Sequence, residues 1–123
     1  MKKTIPILVV EDEAIVRMHI ADIFEREGFI VSEVGSAAEA IEVLEKRPDI
    51  KVVLTDIEMP GTMDGLALSH YIRRRWPPTI IIIASGRRQP DKNNMPEGAH
   101  FIGKPFFLND VTPVICDIKR RAL

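Results

Sequence analysis

The chain has 123 residues, of which 46% are hydrophobic, and its 17 basic and 18 acidic side chains give a formal net charge of −1. This length and composition predict a single domain around one core, and the balanced charge argues against direct binding of nucleic acid. Cys116 is the one cysteine, so no disulfide can form within the chain and a reducing, cytoplasmic location is expected. The apolar run near the N-terminus ends at Glu11, which makes it too short for a signal peptide or a membrane span.

Strands and helices are predicted to alternate along the chain. Buried strands are predicted over residues 5–10, 29–34, 52–56, 79–84 and 100–104. Apolar residues at helical spacing follow the first, second, third and fifth of these strands. Gly28 is predicted to end the first helix, and Ser36 with Glu39 to begin the second as a capping box. The alternation predicts an α/β fold: a doubly wound, five-stranded parallel sheet with helices on both faces, forming a three-layer sandwich.

One segment interrupts the alternation. Between Ser85 and His100, where a fourth helix is expected, lie two prolines, two asparagines and two glycines. These residues disfavour a long helix, so the fourth helix is predicted to be short or irregular. No repeat, linker or low-complexity tract marks a second domain, and residues 1–123 are expected to form one domain without an output domain.

Five polar residues lie at or near the carboxyl ends of the predicted strands: Glu11, Asp12, Asp56, Ser85 and Lys104. In an open parallel sheet these ends form one edge, where ligands bind, so the five side chains are expected to meet. Clustered carboxylates suit Mg²⁺, or Mn²⁺ in its place. A carboxylate such as Asp56 can attack a phosphoryl donor, while the cation, Lys104 and Ser85 neutralise the phosphoryl oxygens. The pattern predicts a phosphoryl-transfer site.

The motifs around these residues resemble those of the receiver domains of two-component response regulators. They are Val9-Val10-Glu11-Asp12-Glu13, Leu54-Thr55-Asp56-Ile57-Glu58-Met59-Pro60-Gly61, Asp64-Gly65, Ala84-Ser85-Gly86 and Lys104-Pro105-Phe106. Their order and spacing carry the resemblance over nearly the whole chain. It implies a flavodoxin-like, chemotaxis-receiver-like fold with strand order 2-1-3-4-5. It also implies a bacterial signalling protein that promotes its own phosphorylation and dephosphorylation without being a turnover enzyme.

The resemblance assigns roles to the acidic residues. Asp56 would accept phosphate from a sensor histidine kinase or a histidine phosphotransfer protein. Asp12, Asp56 and the backbone carbonyl of Glu58 would bind the metal directly, and Glu11 would act through a bound water. Magnesium is therefore expected to be required for phosphorylation.

The resemblance also implies a conformational switch. Lys104 and Ser85 would hold the phosphoryl oxygens, and Lys104-Pro105 is a candidate for a cis peptide bond. In the family, phosphorylation draws the hydroxyl residue toward the phosphate, and an aromatic residue on the fifth strand turns inward. The matching residue is Phe101, whose two states would differ in burial alone because it has no phenol hydroxyl.

Three features depart from the commonest family pattern or vary within it. The loop from Pro60 to Gly65 is one residue longer. The irregular fourth helix lies on the face that many receivers use to dimerise or dock. The output surface is therefore expected to differ from the usual one in the family, and the sequence leaves homodimer formation undecided. Glu58 and Arg87 flank the site, where they are expected to pair and to influence the lifetime of the phosphate.

Several alternatives stay open. The favoured function is a stand-alone receiver that signals through a protein partner, although a receiver fragment of a larger regulator or hybrid kinase would read the same way. A hydrolase with an aspartyl intermediate is disfavoured because Glu58 stands where such enzymes need a second aspartate. A phosphorylation-independent binding module of the same fold is disfavoured because all five site residues are present. Glu11 and Asp12 could instead cap the first helix.

Overall fold

The structure is a computed structural model that describes residues 4–87 and 90–122. Five strands pair in parallel: β1 (Ile5–Val10), β2 (Phe29–Val34), β3 (Val52–Asp56), β4 (Ile80–Ser85) and β5 (His100–Gly103). Their order across the sheet is β2-β1-β3-β4-β5. The predicted sheet and strand order are confirmed, with strand bounds that differ from the prediction by one residue at most.

Four α-helices cover the two faces of the sheet. They are α1 (Ala14–Arg26), α2 (Ala37–Lys46), α3 (Gly65–Arg75) and α4 (Leu108–Ala122). The apolar residues of α1 and α4 pack in one core cluster, and those of α2 and α3 pack in another on the opposite face. The predicted three-layer sandwich is therefore confirmed. None of these helices, within the part of the chain described, has the length and apolar character needed to cross a membrane.

The central strands are buried on both faces because their side chains alternate between the two clusters. On β1, Ile7 and Val9 belong to the cluster under α1 and α4, whereas Leu8 and Val10 belong to the one under α2 and α3. All four are fully buried. Burying an aliphatic side chain of this size contributes roughly 1.5–3 kcal/mol, so this strand is a main source of stability.

Local sequence signals set the helix ends. The N–H of Gly28 donates to the Glu25 carbonyl at 3.1 Å, and the glycine has φ +92°, a conformation that other residues rarely adopt. At the start of α2, Ser36 Oγ accepts the N–H of Glu39 at 3.2 Å, as predicted. The Glu39 carboxylate accepts the Ser36 hydroxyl, so the reciprocal bond to the Ser36 backbone that defines a full capping box is replaced.

The fourth crossover contains no α-helix in its described residues. It forms a single 3₁₀ turn over Lys92–Asn94, which confirms the prediction of a short, irregular helix. The Asn94 carbonyl lies 2.6 Å from Nε2 of His70 on α3, and Met95 and Ala99 pack against the core cluster under α2 and α3. This face of β4 and β5 is thus covered by a turn and a loop rather than by a helix.

Candidate functional site

Three carboxylates meet at the carboxyl edge of the sheet. One oxygen each from Glu11, Asp12 and Asp56 lies within 4.8 Å of the others, and Glu11 and Asp56 are buried. Glu11 Oε2 is buried and has no hydrogen-bond partner in the structure, and Asp56 Oδ1 has only an ion-pair contact. Buried carboxylate oxygens without donors are costly, and hard cations such as Mg²⁺ take such oxygens as ligands. The residues therefore fit a divalent cation.

The strand end, not the helix start, positions Glu11 and Asp12. The Glu11 N–H donates to the Val34 carbonyl at 3.1 Å and so continues the bonding between β1 and β2. The N-cap of α1 is Glu13, and no side chain bonds to the amides of its first turn. The alternative that Glu11 and Asp12 cap this helix is therefore wrong, since the chain enters the helix after both acids.

Lys104 lies between two of the acids. Its Nζ is 3.0 Å from Glu11 Oε1 and 3.2 Å from Asp56 Oδ1. Burial by itself lowers the pKa of Lys104, but the hydrogen bond with Glu11 and the charge of Asp56 outweigh it, so the pKa is raised and the ammonium stays charged. Its backbone N–H donates to the Ser85 carbonyl at 2.8 Å, and the predicted cis peptide bond to Pro105 is present.

The Asp56 carboxylate is held in an unfavourable electrostatic environment. Burial, followed by the hydrogen bond and negative charge of Glu11, raises the pKa of Asp56 to about 8, and Lys104 opposes this shift only in part. Asp56 is 3% exposed. Added positive charge from a bound divalent cation lowers the pKa of a neighbouring carboxyl, so this site attracts a cation.

Ser85, Glu58 and Arg87 form a second set of contacts beside the acids. Ser85 is buried at the end of β4, and its hydroxyl donates to Glu58 Oε1 in a short hydrogen bond. Ser85 Oγ also accepts the backbone N–H of Arg87 at 3.0 Å. Arg87 Nε lies 3.7 Å from Glu58 Oε1, so the expected pairing of these two residues is present.

Gly65 is a site-supporting residue whose role is not evident from its sequence motif. A Cβ at this position would lie 1.7 Å from the carbonyl oxygen of Asp56 and 2.5 Å from its carbonyl carbon. The backbone of α3 therefore approaches Asp56 at a distance that only glycine permits. Asp64 begins the same helix by accepting the Ala67 N–H at 2.8 Å. The Asp64-Gly65 pair thus fixes α3 against the end of β3.

An apolar surface adjoins the site and was not predicted. We define the α1 patch as the exposed side chains of Ile15, Met18, Phe107 and Leu108. A groove of about 500 Å³ beside it is lined by Ile15, Val16, His19, Ile20, Gly86, Lys104, Pro105 and Phe106. Ile15 and Met18 lie outside the apolar stripe of α1. Large apolar side chains are unusual on the solvent-facing side of a helix, so the sequence did contain a signal for this surface.

Phe101 lies on β5, half-buried, with its ring against the core cluster under α2 and α3. It pairs in register with Ile83 of β4, and Ser85 pairs with Gly103. The proposed switch residues thus share neighbouring strands.

Comparisons with known proteins agree with this geometry. The family described as response regulator receiver domain matches residues 7–115. The chain is 35% identical to the transcriptional regulatory protein PdtaR of Mycobacterium tuberculosis over 89% of this chain and 54% of that protein. It is 33% identical to the sensor kinase CckA of Brucella abortus over 89% of this chain and 12% of that protein. It therefore spans about half the length of the first of these relatives and much less of the second.

A solved structure of a response regulator receiver protein from Sinorhizobium medicae has a TM-score of 0.83 and 28% identity, with 97% of this chain and 94% of that one covered. Domains of the matched family take phosphate from sensor kinases, bind Mg²⁺ at an acidic cluster and act as signalling modules rather than turnover enzymes. On these grounds, the chain belongs to the response regulator receiver domain family.

Proposed function

We propose that Asp56 is the phosphoacceptor of this receiver and that it takes its phosphoryl group from a sensor histidine kinase or a histidine phosphotransfer protein. One observation carries the proposal: the buried Asp56 carboxylate lies 3.2 Å from the Lys104 ammonium and beside two further acids, with buried oxygens that lack donors. A stable structural cluster would have satisfied those oxygens. A site that binds a cation and a phosphoryl group uses them.

The residues divide the chemistry between them. Asp12, Asp56 and the backbone carbonyl of Glu58 would hold Mg²⁺, with Glu11 acting through a water. When bound, the ion supplies positive charge for the phosphoryl oxygens. An Asp56 oxygen attacks phosphorus as the bond from phosphorus to the donor nitrogen breaks. Lys104, already charged, provides a fixed ammonium for one phosphoryl oxygen without a proton transfer.

Ser85 and Phe101 are proposed to convert this chemistry into a signal. The Ser85 hydroxyl donates to a phosphoryl oxygen, and its movement opens space on the β4 side of the sheet. Phe101 then turns further inward from its half-buried position on β5. Phe101→Ala is expected to leave the rate of phosphorylation by acetyl phosphate within about threefold of the parent, because this side chain packs against the core cluster under α2 and α3 and is not among the groups proposed to hold the metal or the phosphoryl group. Loss of phosphorylation in that variant would contradict a role in the switch alone.

The α1 patch is proposed as the surface that the phosphohistidine donor covers. It is apolar, exposed and continuous with the groove that Lys104 lines, so a protein seated on it can present a phosphoryl group to Asp56. Ile15→Ser is expected to slow transfer from phosphorylated histidine kinases or phosphotransfer domains by about tenfold, as loss of a central apolar contact does. Transfer from acetyl phosphate should be unchanged. Equal loss with both donors would contradict docking.

The proposed function is tested by intact-mass measurement. Parent protein and Asp56→Asn are incubated with acetyl phosphate and Mg²⁺, and a parallel sample contains excess chelator. The expected result is one phosphoryl adduct on the parent, none on the variant and none in chelator. A folded parent that acquires no adduct would contradict the proposal and favour a phosphorylation-independent binding module.

A further inference from the structure

We propose that Glu58 is a positioning residue that holds the Ser85 hydroxyl away from the phosphoryl group, so that phosphorylation of Asp56 has to break the Glu58–Ser85 hydrogen bond. This inference rests on the proposed phosphoacceptor function of the same site. The contact joins the side chains of Glu58 and Ser85. Glu58 would thus influence the timing of the switch through its carboxylate, in addition to binding the metal through its backbone carbonyl.

Ser85 can donate only one hydrogen bond from its side chain. A serine hydroxyl has one proton to donate. In the structure that proton is directed to Glu58 Oε1, while Oγ accepts the backbone N–H of Arg87 at 3.0 Å. A phosphoryl oxygen carries no proton and needs a donor. Ser85 therefore cannot donate to the phosphoryl group until it releases Glu58.

The strength of the bond follows from the charge of its acceptor. The acceptor is Oε1 of the Glu58 carboxylate, and the contact is a short hydrogen bond. A hydrogen bond to a carboxylate is about twice as strong as one between neutral groups. The phosphoryl group must therefore compete with a charged acceptor that is already in place.

Burial makes the arrangement specific. Ser85 is 1% exposed, so water does not readily replace Glu58 as its partner. The other carboxylate oxygen of Glu58, Oε2, is buried and has no hydrogen-bond partner in the structure. Arg87 is largely exposed and 3.7 Å away, which makes it a weak charge partner. Ser85 is thus the main group that fixes the Glu58 side chain.

The test is a double-mutant cycle on the rate of phosphorylation by acetyl phosphate at saturating Mg²⁺. The four proteins are the parent, Glu58→Ala, Ser85→Ala and the double variant. Glu58→Ala also removes a negative charge that repels the donor, and the Ser85→Ala background measures that contribution by itself. Thermal unfolding of all four proteins confirms that each is folded.

The expected result is that Glu58→Ala accelerates phosphorylation about tenfold more when Ser85 is present than when it is absent, the size of a lost hydrogen bond to a charged group. Glu58→Gln, which keeps an acceptor oxygen but no charge, should fall between the parent and Glu58→Ala. Arg74→Ala is the matched control. It removes an exposed arginine from the last turn of α3, at the opposite end of that helix from Gly65, and should stay within about threefold of the parent.

Equal acceleration in the two backgrounds would overturn the inference, because Glu58 would then act through charge or access alone. Slower phosphorylation of Glu58→Ala than of the parent, with Ser85 intact in both, would overturn it as well. These outcomes are distinct from failure of the proposed function, in which the folded parent itself acquires no phosphoryl group.

Discussion

Two charged clusters in this protein use the same kinds of side chain in different surroundings. At the carboxyl edge of the sheet, Glu11 and Asp56 share the ammonium of Lys104 with little access to solvent. On α4, Asp117 accepts from an imidazole and two guanidinium groups, those of His100, Arg120 and Arg121. The first cluster has more acid than base and buried oxygens without donors, whereas in the second the acid is surrounded by bases.

The titration of the two aspartates reflects this difference. Burial and the negative charge of Glu11 raise the pKa of Asp56 to about 8. Hydrogen bonds, first from Arg120, lower the pKa of Asp117. A partly exposed cluster with excess donors stabilises the fold slightly and needs no ligand. A buried cluster with excess acceptors lowers the stability of the fold unless a cation binds to it. Such an unfavourable arrangement is an indication of function.

The largest expected effect comes from moving the backbone under the buried cluster. Gly65→Ala would place a methyl group 1.7 Å from the Asp56 carbonyl oxygen, so the end of β3 or the start of α3 has to shift. We expect the free energy of unfolding to fall by about 3 kcal/mol, as for overpacked sites, together with weaker Mg²⁺ binding. Urea denaturation and Mg²⁺ titration measure the two effects. Gly86→Ala is the control, because no atom of the described residues lies within 4 Å of a Cβ there. A Gly65→Ala protein as stable as the parent would contradict the close approach.

The next effect comes from replacing the buried titratable group. Because the folded pKa of Asp56, about 8, lies above its unfolded value, stability falls as the pH rises from about 4 to about 8, where the unfolded chain ionises before the folded one. In chelator at pH 7, Asp56→Asn is therefore expected to be more stable than the parent, by on the order of 2 kcal/mol.

The pH dependence provides the control for that prediction. The stability difference between Asp56→Asn and the parent should shrink as the pH falls toward the unfolded pKa near 4, below which Asp56 is protonated in both folded and unfolded chains. Denaturation curves at several pH values measure it. A variant less stable than the parent at pH 7 would show that the folded structure does not disfavour ionisation of Asp56.

The smallest effect is expected at the Asp117 cluster on α4. Because the folded pKa of Asp117 lies below its unfolded value, its contribution is present above the unfolded pKa and is lost as the pH falls through the folded pKa. Asp117→Asn should lower Tm slightly at pH 7, and the difference should diminish at acidic pH and in high salt. A loss of stability as large as that of Gly65→Ala would remove the contrast between the two clusters.

The fold was largely predictable because its signals are local and strong. Each strand is a short apolar run such as Ile80–Ser85, and each interruption is marked by a residue such as Gly28 that ends a helix. The alternation then leaves few topologies. The open alternative that Glu11 and Asp12 cap the first helix could not be decided from sequence, because an acid near a helix start can either cap the helix or continue the preceding strand.

The site was predictable in its composition but not in its contacts. The strand ends bring Asp56, Ser85 and Lys104 to one edge, which the sequence pattern indicates. Whether Ser85 donates to Glu58 depends on side-chain rotamers and on burial, and no local pattern encodes these. The role of Gly65 was missed because it comes from the close approach to Asp56 on another element. Ile15 was missed although its place outside the apolar stripe of α1 is visible in the sequence.

The most direct test of the central claim locates the phosphoryl group. Protein treated with acetyl phosphate and Mg²⁺ is reduced with borohydride, which converts an aspartyl phosphate to homoserine, and its peptides are analysed by mass spectrometry. We expect conversion at Asp56 and at no other acid, and none when Mg²⁺ is chelated. Conversion at Asp12 or Glu11, or an unmodified Asp56 in folded protein, would contradict it.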